Sequence, residues 1–140
     1  MSEEKSLTNE EVDLEIALRR GYRWKLNGAG YRYLLNPQAE YFDLYRDATG
    51  EEELCNNAME HMPRPSADPH ACLAVLADLL LEGVHVWHID RLSCELLCGG
   101  RGSEVKAIGA SSTEGPVLRF CEMVARACLE AMQTIERQRG

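Results

Sequence analysis

The stretch DPHACLAVLADLLLEGVHVWHIDRLSCELLCGGRGSEVKAIGA, residues 68–110, predicts a helix followed by three short strands, and it decides the fold. Asp68 is a favourable N-cap residue and Pro69 suits the first helical position, so a helix begins there. Gly83 suits the C′ position at which such a helix ends. Between these signals, apolar residues recur at helical spacing: Cys72, Val75, Leu76, Leu79 and Leu80.

Three strands are predicted after this helix, over residues 84–90, 92–98 and 103–110. Both faces of the first strand are partly apolar, and in the third Val105, Ala107 and Gly109 alternate with Glu104 and Lys106. The Gly-Gly-Arg-Gly sequence at residues 99–102 predicts the turn between the second and third strands. We therefore expect an antiparallel meander. Strict alternation along the first strand would place His85 and His88 on opposite faces, which would prevent them from binding one metal ion together.

A second long helix is predicted from Pro116 onward, after the polar residues 111–115. Its apolar residues share one side of the helix, which makes it the most amphipathic helix of the chain. We expect this side to pack against the meander. Its predicted core residues are Val117, Cys121, Val124, Ala125, Cys128, Ala131, Met132 and Ile135.

Upstream of this stretch, Thr8 and Glu11 form a capping box that predicts a helix over about residues 9–20. A strand containing Trp24 is predicted over residues 22–26, and residues 31–35 are its return strand. The predicted fold class is therefore α+β, with a small antiparallel sheet of three to five strands packed with helices in an α-β-α sandwich.

The length and the charge bound the possible functions. The 140 residues, 45% of them hydrophobic, suit a single domain over residues 1–140. The 15 basic and 23 acidic residues give a formal charge of −8. Phosphate backbones repel a chain this acidic, so we expect no direct nucleic-acid binding. A basic, nucleic-acid-binding protein would instead be attracted to it.

An acidic and aromatic segment over about residues 36–67 stands apart from the rest of the pattern as an insertion. Thr49 and Glu52 form a second capping box there, which predicts a short helix to about residue 61. Aromatic residues interleaved with carboxylates are typical of protein interfaces, although a solvated surface has a similar composition. The candidate partner-binding residues are Tyr41, Phe42, Asp43, Tyr45, Asp47, Glu51, Glu52 and Glu53.

The six cysteines predict free thiols. Residues 1–9 are polar with no apolar run behind them, so we expect neither a signal peptide nor a membrane anchor, and a cytoplasmic, reducing location. Cys94 and Cys98 fall on one face of a strand about 13 Å apart, too far to bind one ion. Because no C-x-x-C pair occurs either, we expect no metal site and no cofactor.

The order of these signals resembles the small alpha-beta-alpha sandwich domain of tailed-phage and prophage proteins. The resemblance rests on Leu18, Trp24, the Pro-Ser-x-Asp sequence at residues 65–68, the helix and meander after it, and Ser112-Thr113 before the last helix. It covers most of the chain and implies the fold, whereas it implies almost nothing about activity. The segment over residues 36–62 departs from the family's shorter pattern, and a special function would be placed there.

Two functions of different classes fit the sequence. The first is a phage-encoded, non-enzymatic binding protein that blocks a host defence or nucleic-acid protein through its acidic segment. The second is a small enzyme or ligand-binding protein with a pocket near His85 and Trp87. A pocket that gathers two titratable groups would favour the second function. The sequence leaves open whether the protein is a monomer or a homodimer.

Overall fold

The computed structural model describes residues 7–26, 32–37, 42–47, 52–54, 62–99, 105–111 and 113–139. Within these ranges the contacts divide the chain into two compact units. Residues 14–63 form the smaller unit, and residues 1–13 with 64–140 form the larger one. The prediction of a single domain stays a prediction. In chain order the elements are α1 (Asn9–Arg19), β1 (Arg23–Leu26), β2 (Arg32–Leu35), β3 (Phe42–Asp47), β4 (Glu52–Leu54), α2 (Pro69–Leu81), β5 (His85–Ile89), β6 (Ser93–Cys98), β7 (Val105–Ala110) and α3 (Pro116–Arg139).

Helices α1 and α2 begin and end close to the residues that the sequence signals predict, and α3 begins at Pro116 as predicted. The Thr8 hydroxyl accepts the Glu11 amide at 3.2 Å, and the Glu11 carboxylate accepts the Thr8 amide at 3.0 Å, so the capping box of α1 is formed. The Asp68 carboxylate accepts the His70 amide at 3.1 Å and caps α2. After α2, Gly83 adopts φ +104°, a conformation that glycine takes without steric cost.

In the larger unit, β5, β6 and β7 form the predicted antiparallel meander in the order β5-β6-β7. Helix α3 packs on β6 and β7, and α2 packs on α3. The α+β class is thus confirmed. The core between α3 and the sheet consists of small and sulfur-containing side chains as well as aliphatic ones: Cys94, Leu96, Cys98, Ala107, Cys121, Val124, Ala127, Cys128 and Ala131 are all buried.

Two residues predicted to lie in the core are instead exposed. Val117, in the first turn of α3, is 55% exposed, and Leu80, near the end of α2, is 43% exposed. The first buried side chain of α3 is Cys121, so the helix meets the core only after its first turn. Helical spacing places a residue on a face but does not show where along the helix the neighbouring element begins.

In the smaller unit, four antiparallel strands form a sheet in the order β1-β2-β3-β4. The strands in the described ranges therefore form two sheets, where the sequence predicted one of three to five strands. Ala17, Leu34 and Met62 make the buried cluster of this unit, with Leu14, Leu18, Tyr22 and Trp24 packed around it. The predicted strand containing Trp24 is confirmed as β1.

Candidate functional site

The acidic and aromatic segment contributes two neighbouring strands to the smaller unit. Strand β3 pairs with β4, and we call these two strands the acidic hairpin. Tyr41 and Glu51 lie outside the described residues. The remaining six candidate partner-binding residues are placed on the acidic hairpin: Phe42, Asp43, Tyr45 and Asp47 on β3, and Glu52 and Glu53 on β4.

The short helix predicted from Thr49 is wrong at its start, because Glu52–Leu54 is the strand β4. Residues 55–61, where the helix would have continued, lie outside the described part of the chain. The capping-box signal is local, whereas β4 is held by its pairing with β3, in which Leu54 is opposite Tyr45. Tertiary pairing outweighs helix signals of this size, which contribute about 1 kcal/mol.

Charge is unevenly distributed over the four-stranded sheet. The basic residues Arg23 and Lys25 lie on β1 and Arg32 on β2, while four carboxylates lie on the acidic hairpin at the other end of the strand order. Within the hairpin, the register places Asp47 opposite Glu52 and Arg46 opposite Glu53. One cross-strand pair therefore joins like charges and the next joins opposite charges.

A second candidate surface is the side of the β5–β7 sheet that faces away from α3, which we call the open face. The register aligns the residues of this face in rows across the three strands. One row is His85, Leu97 and Lys106. The next row is His88, Glu95 and Ile108. All five residues of β5 are exposed. Trp87 is 58% exposed and Ile108 is 54% exposed. The open face thus presents aromatic, apolar and imidazole groups together.

The structure overturns the prediction that His85 and His88 point to opposite faces. A β-bulge between Val86 and His88 shifts the register, so that His85 pairs with Leu97 and His88 pairs with Glu95. Leu97 and Glu95 are two residues apart on β6 and therefore share a face. The extra residue of the bulge places both histidines on the open face, because a bulge changes the face to which the following side chains point.

The side chain of Trp87 also lies on the open face. Its ring centre is 5.2 Å from the Lys106 Nζ atom, and Lys106 belongs to the row of His85. The same ammonium group is 3.3 Å from the Glu95 carboxylate. Lys106 therefore makes a cation–π contact and an ion pair across the sheet, which hold these three side chains on one surface.

Asp90 orders the turn between β5 and β6. Its Oδ1 atom accepts the amides of Leu92 at 2.8 Å and Ser93 at 2.9 Å, and its Oδ2 atom is 2.9 Å from His88 Nε2. The amide of Leu92, then His88 and the amide of Ser93, lower the pKa of this carboxyl to about 2. The carboxylate is therefore ionised at neutral pH and fixed beside an exposed imidazole.

Two cavities lie within the described part of the larger unit. One, of about 210 Å³, lies between β7, α3 and the residues Leu7 and Val12, and includes Arg126 and Glu130. The other, of about 410 Å³, includes Glu82, Arg139 and the turn residues Gly83 and Gly99. Neither contains His85 or Trp87, so these cavities do not supply the pocket that the second function needs.

Asp13 is the most deeply buried carboxylate among the described residues of α1, with no exposed surface. Its oxygens accept the Ser66 amide at 2.9 Å, the Ser66 hydroxyl at 2.7 Å and the Arg64 Nε–H at 2.7 Å. Burial raises the pKa of Asp13, although the hydrogen bonds from Arg64 and Ser66 oppose the rise. These partners give Asp13 a structural role, attaching the segment before α2 to α1.

Glu122 is the centre of a second internal network. Its Oε2 atom accepts the Thr113 hydroxyl at 2.7 Å and the Asn9 amide group at 3.4 Å, and Arg126 donates to Asn9 at 2.9 Å. Burial alone would raise the pKa of Glu122, but the hydrogen bonds from Thr113, Asn9 and Ser111 and the charge of Arg126 together lower it. The network joins α1 and α3 to the segment between β7 and α3.

The described cysteines are buried thiols, as predicted. Burial raises the pKa of Cys72 to about 12 and that of Cys94 to about 11, and it also raises those of Cys98 and Cys121. Cys55 lies outside the described residues. Thiols with such raised pKa values carry little thiolate at neutral pH, so they are poor nucleophiles.

The sequence missed two features of these surfaces. The bulge at Trp87 left no signal, because the alternation of residues 84–90 fits a regular strand equally well. The turn after β5 did have a signal, since aspartate commonly accepts backbone amides two and three residues ahead of it. Asp90 followed by Arg-Leu-Ser has this pattern.

Comparison with known proteins found no match to a family model, a curated protein or a solved structure. The resemblance to the phage sandwich domain therefore stays a prediction. No helix in the ranges that the structure describes has the length and apolar character required to cross a membrane. The same ranges contain no group of three or more histidine, cysteine or carboxylate side chains arranged to bind a metal ion.

Proposed function

We propose that this protein is a phage-encoded, non-enzymatic binding protein that blocks a basic, nucleic-acid-binding protein of the host through the acidic hairpin. Tyr41 and Glu51, which flank the hairpin strands in sequence, are included in the proposed contact on their sequence alone. The partner is a protein, and the contact involves neither nucleic acid nor membrane.

The observation that supports this proposal is the register of the hairpin, which places Asp47 opposite Glu52. Like charges directly opposite each other destabilise an antiparallel pair. A stable fold gains nothing from this arrangement, and features that break a local rule tend to occur at functional sites. A basic partner would neutralise both carboxylates and remove the repulsion on binding.

An aromatic residue on the same strand completes the surface. Tyr45 is two residues from both Asp43 and Asp47 along β3, so these three positions share one face of the strand, whereas Phe42 belongs to the other face. The residues that carry most of the affinity at protein interfaces are enriched in tyrosine, tryptophan and arginine, whereas charges mainly accelerate association. The hairpin therefore combines residues suited to anchoring a partner with residues suited to attracting it.

Affinity capture from a bacterial host lysate tests the proposal with three baits. The first is the wild type, the second carries Glu52→Lys with Glu53→Lys, and the third carries Glu82→Lys with Glu114→Lys. Both double variants change the net charge equally, so the third bait controls for charge alone. We expect the wild type and the third bait to capture the same basic protein in stoichiometric amounts, and the second bait to lose it.

The captured complex should also depend on salt. Exposed charges are screened over about 8 Å at physiological ionic strength, so association should slow as the salt concentration rises. Equal capture of the partner by all three baits would contradict the role of the hairpin. Recovery of a small molecule instead of a protein would favour the alternative function.

That alternative, a small enzyme or ligand-binding protein acting near His85 and Trp87, has one supporting observation. His88 lies 2.9 Å from the Asp90 carboxylate, and this pairing is typical of imidazoles that act as bases. A small molecule that copurifies with the wild type and is lost from Trp87→Ala would establish this function.

A further inference from the structure

We propose that His85 and His88 bind a divalent transition-metal ion on the open face, with Asp90 as the residue that positions His88. The site lies in the larger unit and is independent of the acidic hairpin. The two imidazoles supply the protein ligands, and water or a ligand of another molecule completes the coordination.

The bulge in β5 creates the geometry for this site. His85 and His88 pair with residues two apart on β6, so their Cα atoms are separated by about 6.6 Å along one face. Imidazole side chains at this spacing converge on one ion at the usual zinc–nitrogen distance of about 2.0 Å. Both residues are exposed, so an ion can reach them from solvent.

Asp90 supplies the support that metal-binding histidines commonly have. Metal-bound imidazoles usually donate their second N–H group to a carboxylate, which fixes the ring and increases its basicity. His88 Nε2 is 2.9 Å from Asp90 Oδ2, and two backbone amides hold the other oxygen of that carboxylate. The His88 Nδ1 atom then carries the lone pair that binds the ion.

The surroundings limit the site to two protein ligands and select the metal. Glu95 is opposite His88, but it is engaged by Lys106 at 3.3 Å. This agrees with the finding that the described residues form no group of three or more ligands. Imidazole ligands favour Zn²⁺, Ni²⁺ and Cu²⁺, whereas Mg²⁺ and Ca²⁺ require oxygen ligands.

Calorimetric titration of the 140-residue protein with Ni²⁺ tests the proposal. The wild type should bind one equivalent, and His85→Asn and His88→Asn should each weaken binding by about tenfold or more. Asp90→Asn should also weaken it, because second-shell changes typically cost about 10-fold to 100-fold in affinity. His70→Asn, which removes an exposed histidine of α2, is the matched control and should bind as the wild type does.

Trp87 provides a second measurement that locates the ion. Ni²⁺ quenches the fluorescence of nearby indoles, so emission should fall with the same stoichiometry as the calorimetric signal. In Trp87→Phe, which keeps Trp24, the quenching should weaken while calorimetric binding remains. Circular dichroism would verify that each variant is folded.

Three results would overturn the site. They are the absence of Ni²⁺ binding to the wild type, unchanged binding by the folded His85→Asn/His88→Asn double variant, and loss of binding in His70→Asn equal to that in His88→Asn.

Discussion

Gly109 of β7 packs directly against the backbone of Ala127 in α3. A Cβ atom at position 109 would overlap the Ala127 amide nitrogen and the Met123 carbonyl oxygen. Both atoms belong to the backbone of a long helix, so they cannot move aside in the way that a flexible side chain can. This contact sets how closely α3 approaches the sheet and explains why the core there consists largely of alanine and cysteine.

Gly109→Ala should therefore destabilise the protein strongly. Overpacking a core typically costs about 1–3 kcal/mol, and we expect about 3 kcal/mol here because the obstacle is backbone. Urea unfolding followed by circular dichroism measures the change. Gly83→Ala is the control, since Gly83 has φ +104° but no atom within 4 Å of an added Cβ. It should cost about 1 kcal/mol, for backbone strain alone. If the two substitutions lowered the free energy of unfolding equally, Gly109 would not be in close contact with the backbone of α3.

Removing the buried carboxylate of Asp13 should be more damaging than removing one of its partners. Asp13→Ala leaves the Ser66 amide and the Arg64 guanidinium without their acceptor, which typically costs about 3 kcal/mol or more. Ser66→Ala removes only the hydroxyl donor and should cost about 1 kcal/mol. The free energies of unfolding in urea test this order. If Asp13→Ala proved as stable as Ser66→Ala, the network would be peripheral to folding.

Glu122 should make the stability depend on pH in the acidic range. Its pKa in the folded protein lies below its ordinary value of 4.5, so the unfolded chain binds more protons as the pH falls. The stabilisation from Glu122 is complete above about pH 4.5 and is lost as the pH falls through the lowered pKa. The difference in unfolding free energy between wild type and Glu122→Gln should therefore shrink on acidification.

Thr113→Val provides the control for this pH effect, because the Thr113 hydroxyl is the strongest of the groups that lower the pKa of Glu122. Its removal should make the acid-induced loss of stability smaller than in the wild type. A difference between wild type and Glu122→Gln that stays constant from about pH 6 to about pH 3 would contradict the lowered pKa.

Two adjacent charge reversals on β4 should shift the melting temperature in opposite directions. Glu52→Lys replaces a like-charged pair with Asp47 by an attractive one and should stabilise the fold by a few tenths of a kcal/mol. Glu53→Lys places two cations opposite each other, at Arg46, and should destabilise it by a similar amount. Both should slow association with a basic partner. If both variants shifted the melting temperature in the same direction, β3 and β4 would not pair in this register.

The sequence could predict the parts of the fold that depend on nearby residues. The capping box of α1, the Asp68 cap of α2 and the glycine that follows α2 are formed by groups within about four residues of each other, so their signals are complete in a short window. The three strands of the meander were found for a similar reason, since their turns and alternation are local patterns.

The candidate sites were less accessible to such reasoning. A capping box at Thr49 predicted a helix where pairing with β3 makes Glu52–Leu54 a strand. Regular alternation predicted that His85 and His88 lie on opposite faces of the strand, whereas one extra residue in β5 places them on the same face. In both cases the outcome depends on pairing with another strand, which cannot be read from the sequence of one strand alone.

By itself, the sequence determined the α+β class, the limits of α1 and α2, the meander and the burial of the described thiols, because hydrophobic periodicity and capping act through residues close along the chain. Only the tertiary structure decided that the described strands form two sheets, that Asp47 pairs with Glu52, and that Gly109 touches the backbone of α3. These features are registers and close approaches between elements distant in sequence. A shift of one residue reverses which side chains share a face, so they follow from the packing of the whole chain.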